Sequence, residues 1–315
     1  MIGLSEIYST RNRIKNWVRK TPFEYAHKLS DLIEGSVYLK LENQQLTKSF
    51  KIRGAANKIL RLTEEEKAMG IVAASSGNHA QGVGLIAKEL GVNVTIVVPE
   101  NTPEVKINEI KQYGVDLLIS GDEFMEAEMK AREIEKEKGM TLVSAYNDLD
   151  IIAGQGTIAL EMIEEVPELD TILVPVGAGG LMAGVGLVYK QATDTKIVGV
   201  QGKTSPVMYE SIRAGYIHDI PLDDSIAEGL HGGIEKDAIT FDICRDVIDD
   251  WVLLSEAEIL NAIKYLLIEC HMLVEGAGAV GVAAILSDPD RYKGRKIGVV
   301  ISGGNLDINT IQEII

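Results

Sequence analysis

Residues 171–181 read TILVPVGAGGL, an apolar, β-branched run that passes directly into a glycine-rich turn. The run has the length and composition of a buried strand, and the residues after the turn have helical periodicity. Backbone N–H groups at such a turn, together with the dipole of the following helix, bind an anion without a basic side chain. The residues of this turn are Gly177, Ala178, Gly179, Gly180 and Leu181. The turn is not a dinucleotide-binding fingerprint, because Met182 stands where the third glycine of that motif is required. The alternative to an anion site is a tight turn with no ligand.

The same order of strand, turn and helix recurs along the chain. Strands are predicted at residues 38–41, 70–74, 94–98, 115–119, 141–143, 171–176, 196–200, 251–254 and 297–301. Helical segments separate most of them, and Thr63 with Glu66 forms a capping box that opens one. This order predicts an α/β fold made of two doubly wound open-sheet domains, the smaller inserted into the larger. We expect residues 1–64 and 149–315 to form the large domain and residues 65–148 the small one, with the ligand in the cleft between them.

Composition and charge exclude several classes of protein. The chain has 315 residues, of which 46% are hydrophobic and 25% charged, and its formal net charge is −16. A negative field of this size repels nucleic acids and anionic membranes, so neither is an expected partner. The N-terminal residues do not resemble a signal peptide, and no apolar run has the length of a membrane span. The two cysteines, Cys244 and Cys270, do not make a disulfide framework, which favours a cytoplasmic protein.

Lys51 lies between the apolar residues Phe50 and Ile52. Apolar neighbours remove water from the amine and lower its pKa, as a lysine that forms a Schiff base requires. The alternative is an ordinary lysine near a helix start whose charged end reaches the solvent.

A second strand-to-helix turn carries small polar side chains, and its residues are Ser75, Ser76, Gly77, Asn78 and His79. Exposed N–H groups at a helix start bind a carboxylate, although a helix N-cap made by Ser75 or Asn78 explains the same residues. Ser302 follows the last predicted strand and is a weaker candidate. The segments that begin at Glu228 and Glu275 are weaker still, and both favour a structural role.

Together these segments resemble the threonine/serine dehydratase and serine racemase family, the fold-type II pyridoxal-phosphate enzymes. The resemblance runs nearly from end to end. Its most specific parts are Ser49-Phe50-Lys51-Ile52-Arg53-Gly54-Ala55, Ser75-Ser76-Gly77-Asn78-His79-Ala80-Gln81 and Ala153-Gly154-Gln155-Gly156-Thr157.

The resemblance implies a role for each candidate residue. Lys51 holds pyridoxal 5'-phosphate as a Schiff base and moves the Cα proton, and Phe50 lies beside the cofactor. The turn from Gly177 to Leu181 holds the phosphate. Ser302 faces the pyridine nitrogen, and Asn78 is near the phenolic oxygen. The turn from Ser75 to His79 binds the substrate carboxylate, with Ser76 as a further catalytic candidate, and no metal ligands are expected.

The resemblance leaves several activities open. We expect a short, catabolic-type threonine dehydratase that converts L-threonine to 2-oxobutanoate and L-serine to pyruvate. Serine racemase and 3-hydroxyaspartate ammonia-lyase are the alternatives, because Ser76 matches the racemases. Against racemase, Gln201 stands where their metal segment has a glutamate, and Tyr146 resembles the aromatic residue of the dehydratases. A catalytically silent ligand-sensing protein is a remote alternative.

The biological setting follows from the same resemblance. The sequence ends at Ile315, so we expect no regulatory domain of the isoleucine-sensitive type. We expect a homodimer or homotetramer, with a nucleotide as a possible effector. The pathway is isoleucine biosynthesis or threonine catabolism.

Overall fold

Two open sheets form the framework of the protein, as seen in a computed structural model that describes residues 2–307 and 310–312. The outer limits of the predicted large domain, Met1 and Ile315, lie outside the described residues. The strands are β1 (Phe23–Tyr25), β2 (Ser36–Leu41), β3 (Ile71–Ala74), β4 (Val94–Val98), β5 (Asp116–Ile119), β6 (Thr141–Leu142), β7 (Thr171–Pro175), β8 (Lys196–Gly202), β9 (Asp250–Leu254) and β10 (Lys296–Ile301). One sheet has the order β1-β2-β10-β7-β8-β9 and the other β5-β4-β3-β6.

Helices connect the strands and cover the sheets. They are α1 (Leu4–Ile14), α2 (His27–Leu32), α3 (Lys51–Leu60), α4 (Glu64–Met69), α5 (Asn78–Leu90), α6 (Glu104–Lys111), α7 (Phe124–Lys138), α8 (Leu149–Glu165), α9 (Gly180–Ala192), α10 (Val207–Ala214), α11 (Ile239–Val247), α12 (Glu256–Glu269) and α13 (Gly276–Ser287). Short 3-10 helices lie at Glu42–Gln44, Glu228–Leu230 and Pro289–Tyr292. In the described part of the chain, none of these helices is long and apolar enough to cross a membrane.

The predicted α/β class is confirmed, and each predicted strand is present. Strands β3 to β6 are consecutive in sequence and all parallel, and they form the smaller sheet. We call residues 64–142, which include α4 to α7, the small lobe, and the remaining described residues the large lobe. Strand β1 was not predicted, and it pairs antiparallel with β2 at the edge of the larger sheet. The larger sheet is therefore mixed and not purely parallel.

Burial explains why the strands read as continuous apolar runs. Every residue of β3 and every residue of β7 is buried, as expected of parallel strands with helices on both faces. The capping box predicted at Thr63 is present at the start of α4, where its hydroxyl accepts from the Glu66 N–H at 3.1 Å. Local sequence signals therefore define both the strands and this helix start.

Helices α3 and α8 cross at a distance that only glycine permits. A Cβ atom on Gly154 would lie 2.5 Å from the Cα of Gly54, closer than real Cβ contacts come. The segment 153–157 that contributed to the family resemblance is thus part of a packed helix crossing. Its position matters to function because α3 begins with Lys51.

Candidate active site

A cavity of about 660 Å³ lies between the lobes. The turns that follow β7 and β10 of the larger sheet and β3 of the smaller sheet all contribute to its lining, because the carboxyl ends of the parallel strands in both sheets lie at the cavity. It is lined by every residue that the sequence predicted for the site, namely Phe50, Lys51, Ser75, Ser76, Gly77, Asn78, His79, Gly177, Ala178, Gly179, Gly180, Leu181 and Ser302. The fold therefore brings together segments that are far apart in sequence.

The Lys51 amine is held at the cavity wall by the backbone. Its Nζ donates a hydrogen bond to the carbonyl of Ala145 at 2.9 Å and lies 5.4 Å from the centroid of the Phe50 ring. Burial lowers the pKa of Lys51 to about 8, although the carboxylates of Glu128 and Glu275 act in the opposite direction. At pH 7 about a tenth of such an amine is neutral, far more than for a solvated lysine. Lys51 is thus prepared to attack an electrophilic carbon.

A buried ion cluster fixes the helix that Lys51 begins. Two residues along α3, the Arg53 guanidinium binds Glu42 through Nε at 2.8 Å and Glu161 through Nη1 at 2.7 Å. The Lys40 amine donates to Glu161 at 2.5 Å, so the cluster has two charges of each sign. Burial opposes the charged form of Arg53, but the two carboxylates raise its pKa well above the usual value. The cluster is costly to break, because removing one partner leaves a buried charge.

The glycine turn before α9 has the geometry of an anion site. Gly179 is the N-cap of α9 with a φ of 92°, a conformation that glycine adopts without strain. The N–H groups at the start of the helix have no acceptor within it and point out of its N-terminal end. Thr240 Oγ1 donates a hydrogen bond to the carbonyl of Ala178 at 2.7 Å, and this bond holds the turn in place. A Cβ on Gly180 would lie 3.0 Å from the Cα of Tyr146, so the turn packs closely against its neighbours.

The turn after β3 forms the small-lobe wall of the cavity. Helix α5 begins at Asn78 and its N-cap is Gly77, which has no side chain to cap with. The Ser75 hydroxyl instead accepts from the Gly77 N–H at 3.1 Å and shapes the turn. The alternative interpretation, a side-chain N-cap made by Ser75 or Asn78, is therefore wrong, because no side chain caps α5.

The His79 ring takes no charge at this site. Its Nε2 lies 2.8 Å from the carbonyl of Val143, and its Nδ1 is buried without a hydrogen-bond partner among the described residues. Burial, with a contribution from the positive charge of Lys51, lowers the pKa of His79 to about 3. A neutral imidazole bonded to the backbone just after β6 fits a structural role for the ring, whereas its predicted role in substrate binding stays a prediction.

Asn78 connects the lobes through two residues that were not predicted for the site. Its Nδ2 donates to Glu275 Oε1 at 2.8 Å, and its Oδ1 accepts from Asn305 Nδ2 at 2.7 Å. Burial raises the pKa of Glu275 to about 7, although the bond from Asn78 acts against this. Glu275 had been interpreted as structural, because its own segment carries no local signal beyond a glycine-rich helix start. Asn78 and Glu275 are 197 residues apart in sequence, so only the folded chain brings them together.

Backbone hydrogen bonds join the segment that contains Ser302 to the segment just before Lys51. The Phe50 N–H donates to the carbonyl of Ser302 at 3.0 Å, and Ser49 and Gly303 form an antiparallel bridge. Ser302 is 2% exposed, so its hydroxyl lies in the cavity wall away from bulk water. The residue after β10 and the residue before α3 are thereby held in a fixed relation.

The donor set fits a phosphorylated aldehyde. The glycine turn has N–H groups at a helix start, the Lys51 amine is partly neutral, and Ser302 provides a buried hydroxyl in the cavity wall. The turn packs closely here too, because a Cβ on Gly177 would lie 3.0 Å from the Cα of Leu230. Asn78 supplies a further polar side chain on the opposite wall.

Comparison with known proteins agrees with this geometry. The sequence profile of the family described as pyridoxal-phosphate dependent enzyme matches residues 14–303. The chain is 43% identical over 317 residues to the L-threonine ammonia-lyase of Thermotoga maritima, covering 100% of this chain and 78% of that protein. It is 40% identical over 320 residues to the L-threonine dehydratase catabolic TdcB of Staphylococcus aureus strain N315, covering 100% and 92%. It also resembles the solved structure of maize serine racemase, with a TM-score of 0.92, 35% identity, and 98% and 95% of the two chains covered.

Proposed function

Because the chain belongs to the family of pyridoxal-phosphate dependent enzymes, we propose that it is a threonine/serine ammonia-lyase. It removes ammonia from L-threonine to give 2-oxobutanoate and from L-serine to give pyruvate. The observation that carries the proposal is the Lys51 amine, whose pKa is lowered to about 8 in a cavity that also contains the glycine turn and Ser302. The relative named L-threonine ammonia-lyase, which aligns with the whole chain, supports this substrate class.

Each predicted site residue keeps its proposed role. Lys51 carries the cofactor covalently, with Phe50 beside it. The N–H groups from Gly177 to Leu181 bind the phosphate. Ser302 donates or accepts a hydrogen bond at the ring nitrogen, and Asn78 lies near the phenolic oxygen. The turn from Ser75 to His79 binds the substrate carboxylate through N–H groups and hydroxyls.

The side chains divide the chemical work. When bound, the cofactor supplies an electron sink for charge that develops at Cα of the substrate. The Lys51 amine takes the proton from Cα, for which its lowered pKa is suited. The neutral Ser302 hydroxyl draws less charge into the ring than a carboxylate would. Charge that stays near Cα favours prompt loss of the hydroxyl from Cβ, and the product hydrolyses to a keto acid and ammonia.

Serine racemase is the second candidate, and Ser76 is the residue that favours it. Racemisation requires a proton acceptor on one face of Cα and a donor on the other, and Ser76 lies in the same cavity as Lys51. The resemblance to maize serine racemase points the same way. The residues at the racemases' metal segment do not, because Gln201 supplies a neutral amide that accepts from the Tyr209 N–H at 3.2 Å. Dehydratase chemistry is therefore the better supported of the two.

One panel of substrates tests the proposal. The purified protein is incubated separately with L-threonine, L-serine, D-serine and 3-hydroxyaspartate, and both keto acid and the chirality of the remaining amino acid are measured. We expect 2-oxobutanoate from L-threonine as the fastest reaction. A dominant change of chirality without keto acid would establish the racemase, and turnover confined to 3-hydroxyaspartate would establish that ammonia-lyase. A protein with cofactor absorbance and no turnover of any substrate would be a ligand sensor.

We also propose a biological setting for the enzyme. It is a cytoplasmic homodimer or homotetramer that acts in isoleucine biosynthesis or threonine catabolism, and the relative named L-threonine dehydratase catabolic TdcB supports catabolism. A nucleotide effector belongs to the same proposal. The division into domains at residues 64/65 and 148/149 also remains a proposal, and the order of the strands supports it.

A further inference from the structure

Two buried carboxyl groups from different lobes meet behind the cavity wall. Glu128 lies on α7 of the small lobe and is 3% exposed, and Glu235 belongs to the large lobe and is 8% exposed. Both bind the same guanidinium nitrogen, Nη2 of Arg132, which is 3.3 Å from Glu128 Oε1 and forms a closer ion pair with Glu235 Oε2. The proposed reaction uses neither carboxyl group, so their burial requires another explanation.

The surroundings of Glu235 leave one of its oxygens without a donor. Its Oε2 accepts from Asn147 Nδ2 at 3.1 Å, and its own N–H donates to the Tyr146 hydroxyl oxygen at 3.0 Å. Its Oε1 is buried and has no hydrogen-bond partner anywhere in the part of the chain that the structure describes. A buried oxygen of this kind costs free energy unless a donor reaches it.

One bound proton would both neutralise the excess negative charge of the cluster and supply a hydrogen-bond donor between the two carboxyl groups. Two carboxylates and one guanidinium leave a net negative charge in a buried place, whereas a proton shared by the carboxyl groups makes the cluster neutral. The protonated group then donates a hydrogen bond to the other. Two carboxylates in contact commonly retain one proton for this reason.

We propose that the proton shared by Glu128 and Glu235 is a latch that holds the small lobe against the large lobe, and that loss of this proton loosens the closed form. The latch acts beside the active site, because Tyr146 and Asn147, which contact Glu235, directly follow the carbonyl that binds the Lys51 amine. The ion pair between Lys106 of the small lobe and Glu228 of the large lobe crosses the cleft elsewhere and does not depend on this proton. The proposal concerns closure of the lobes, so it does not rest on the identity of the substrate.

The direction of the pH effect follows from the difference between the closed and open forms. Burial, followed by the hydrogen bond and charge of Glu235, raises the pKa of Glu128 to about 8 in the closed form, against 4.5 for an ordinary glutamate, while Arg132 acts in the opposite direction. The closed form therefore holds a proton that the open form releases. Its advantage is complete below pH 4.5 and is lost as the pH rises to about 8.

Other ionisable groups near the latch must be separated from it. Lys51 and Tyr146 both interact electrostatically with Glu128. The pKa of Lys51 is about 8, so the free amine titrates in this range, whereas burial raises the pKa of Tyr146 far above neutrality and its hydroxyl does not titrate there. Glu275, whose pKa is raised to about 7, also joins the lobes through Asn78 and does titrate there. A pH effect in the wild-type protein alone is therefore insufficient, and variants at the latch are required.

Hydrogen–deuterium exchange of the amides in α7 tests the latch on the full-length protein with its cofactor bound. Rates at pH 6 and pH 8 are divided by the intrinsic exchange rates, so that only structural protection is compared. We expect protection of α7 in the wild-type protein to fall at least about tenfold over this range. Glu128→Gln supplies a donor that does not titrate and should keep protection nearly constant. Glu133→Gln, which removes an exposed carboxylate paired with Lys130 on the same helix, should follow the wild type.

The outcomes that overturn the proposal are distinct. An unchanged wild-type protection between the two pH values would do so without any variant. The same loss in Glu128→Gln as in the wild type would assign the effect to another group, such as Glu275. Protection that rises with potassium chloride at constant pH, but not with tetramethylammonium chloride at the same ionic strength, would mean that a cation, and not a proton, joins the carboxylates. If Glu128→Gln does not fold, Glu235→Gln removes the hydrogen bond and charge that Glu235 contributes to the raised pKa of Glu128, so the loss of protection between pH 6 and pH 8 should be smaller than in the wild type, and an equal loss would overturn the proposal.

Discussion

Gly179→Ala tests whether the glycine turn holds the cofactor phosphate. Gly179 has a φ of 92°, and a side chain there meets packed neighbours as well as backbone strain. The new Cβ would lie 2.8 Å from Cys244 Sγ and 2.8 Å from Met208 Cε. The left-handed conformation costs a non-glycine residue about 1–2 kcal/mol, and overpacking costs about 1–3 kcal/mol, so we expect the protein to lose about 2–5 kcal/mol of unfolding free energy.

Gly215→Ala is the matched control because it separates the two costs. Gly215 ends α10 with a φ of 84°, and apart from Gly215 itself and the two adjacent residues no described residue has an atom within 4 Å of the Cβ position. Only the backbone cost applies, so its loss should be about 1–2 kcal/mol. The difference between the two variants then measures the steric part at Gly179.

Cofactor binding is the decisive measurement for Gly179→Ala. Relief of the contacts with Cys244 and Met208 must move the turn, and moving it displaces N–H groups from the phosphate. Loss of one charge-assisted hydrogen bond costs about 1.5–3 kcal/mol, which weakens cofactor binding about ten- to hundredfold. Titration of the apoprotein with pyridoxal 5'-phosphate, followed by visible absorbance, gives the Kd, and denaturant unfolding gives the stability. A Kd equal to that of Gly215→Ala would refute the assignment of the phosphate to this turn.

Three further outcomes are expected. Borohydride reduction and peptide mapping should place the cofactor on Lys51, and Lys51→Ala should abolish covalent binding; a label on Lys58, which is bonded to Asp148, would contradict the assignment. Ser76→Ala should leave L-threonine deamination within about tenfold, or roughly 1.4 kcal/mol of barrier, because elimination requires only one base; loss of all activity with the cofactor still bound would show that this scheme is wrong. Glu42→Gln breaks the buried ion cluster and should cost about 3–5 kcal/mol of unfolding free energy, whereas Lys20→Ala, at an exposed pair, should cost less than about 1 kcal/mol. Equal losses of unfolding free energy in the two variants, measured by chemical denaturation, would show that the buried cluster contributes no more to stability than an exposed ion pair.

The fold was predictable because its elements carry strong local signals. The four residues of β3 form a continuous buried run between Gly70 and the polar turn at Ser75, so both its length and its boundaries are visible in the sequence. Strand β1 has no such signal. It has three residues, the central one is Glu24, and two of the three are exposed. Only its pairing with β2 makes it a strand, and this pairing is a tertiary property that periodicity does not report.

The sequence identifies candidate site residues where one turn contains all that the proposed role requires. The glycine turn and the turn from Ser75 to His79 are complete within a few residues, because N–H groups at a helix start form an anion site without help from elsewhere. Glu275 is different. Its importance depends on Asn78, and no local feature distinguishes it from a carboxylate at an ordinary helix start. The Glu128–Glu235 pair was missed for the same reason, since α7 reads as a charged surface helix and burial of one glutamate is visible only in the folded protein.

The segment 153–157 shows how a family motif influences a site that it does not contact. Gly154 allows α8 to approach α3 at Gly54, and the Thr157 hydroxyl accepts from Arg53 Nη1 at 3.1 Å. Both contacts act on the helix that begins with Lys51, and neither places a side chain in the cavity. The motif therefore fixes the position of the first turn of α3, and with it the position of the Lys51 side chain. Its specificity in the sequence reflects this packing requirement, so a close match to the family there supports the position of Lys51, whereas the reaction must be inferred from the residues that line the cavity.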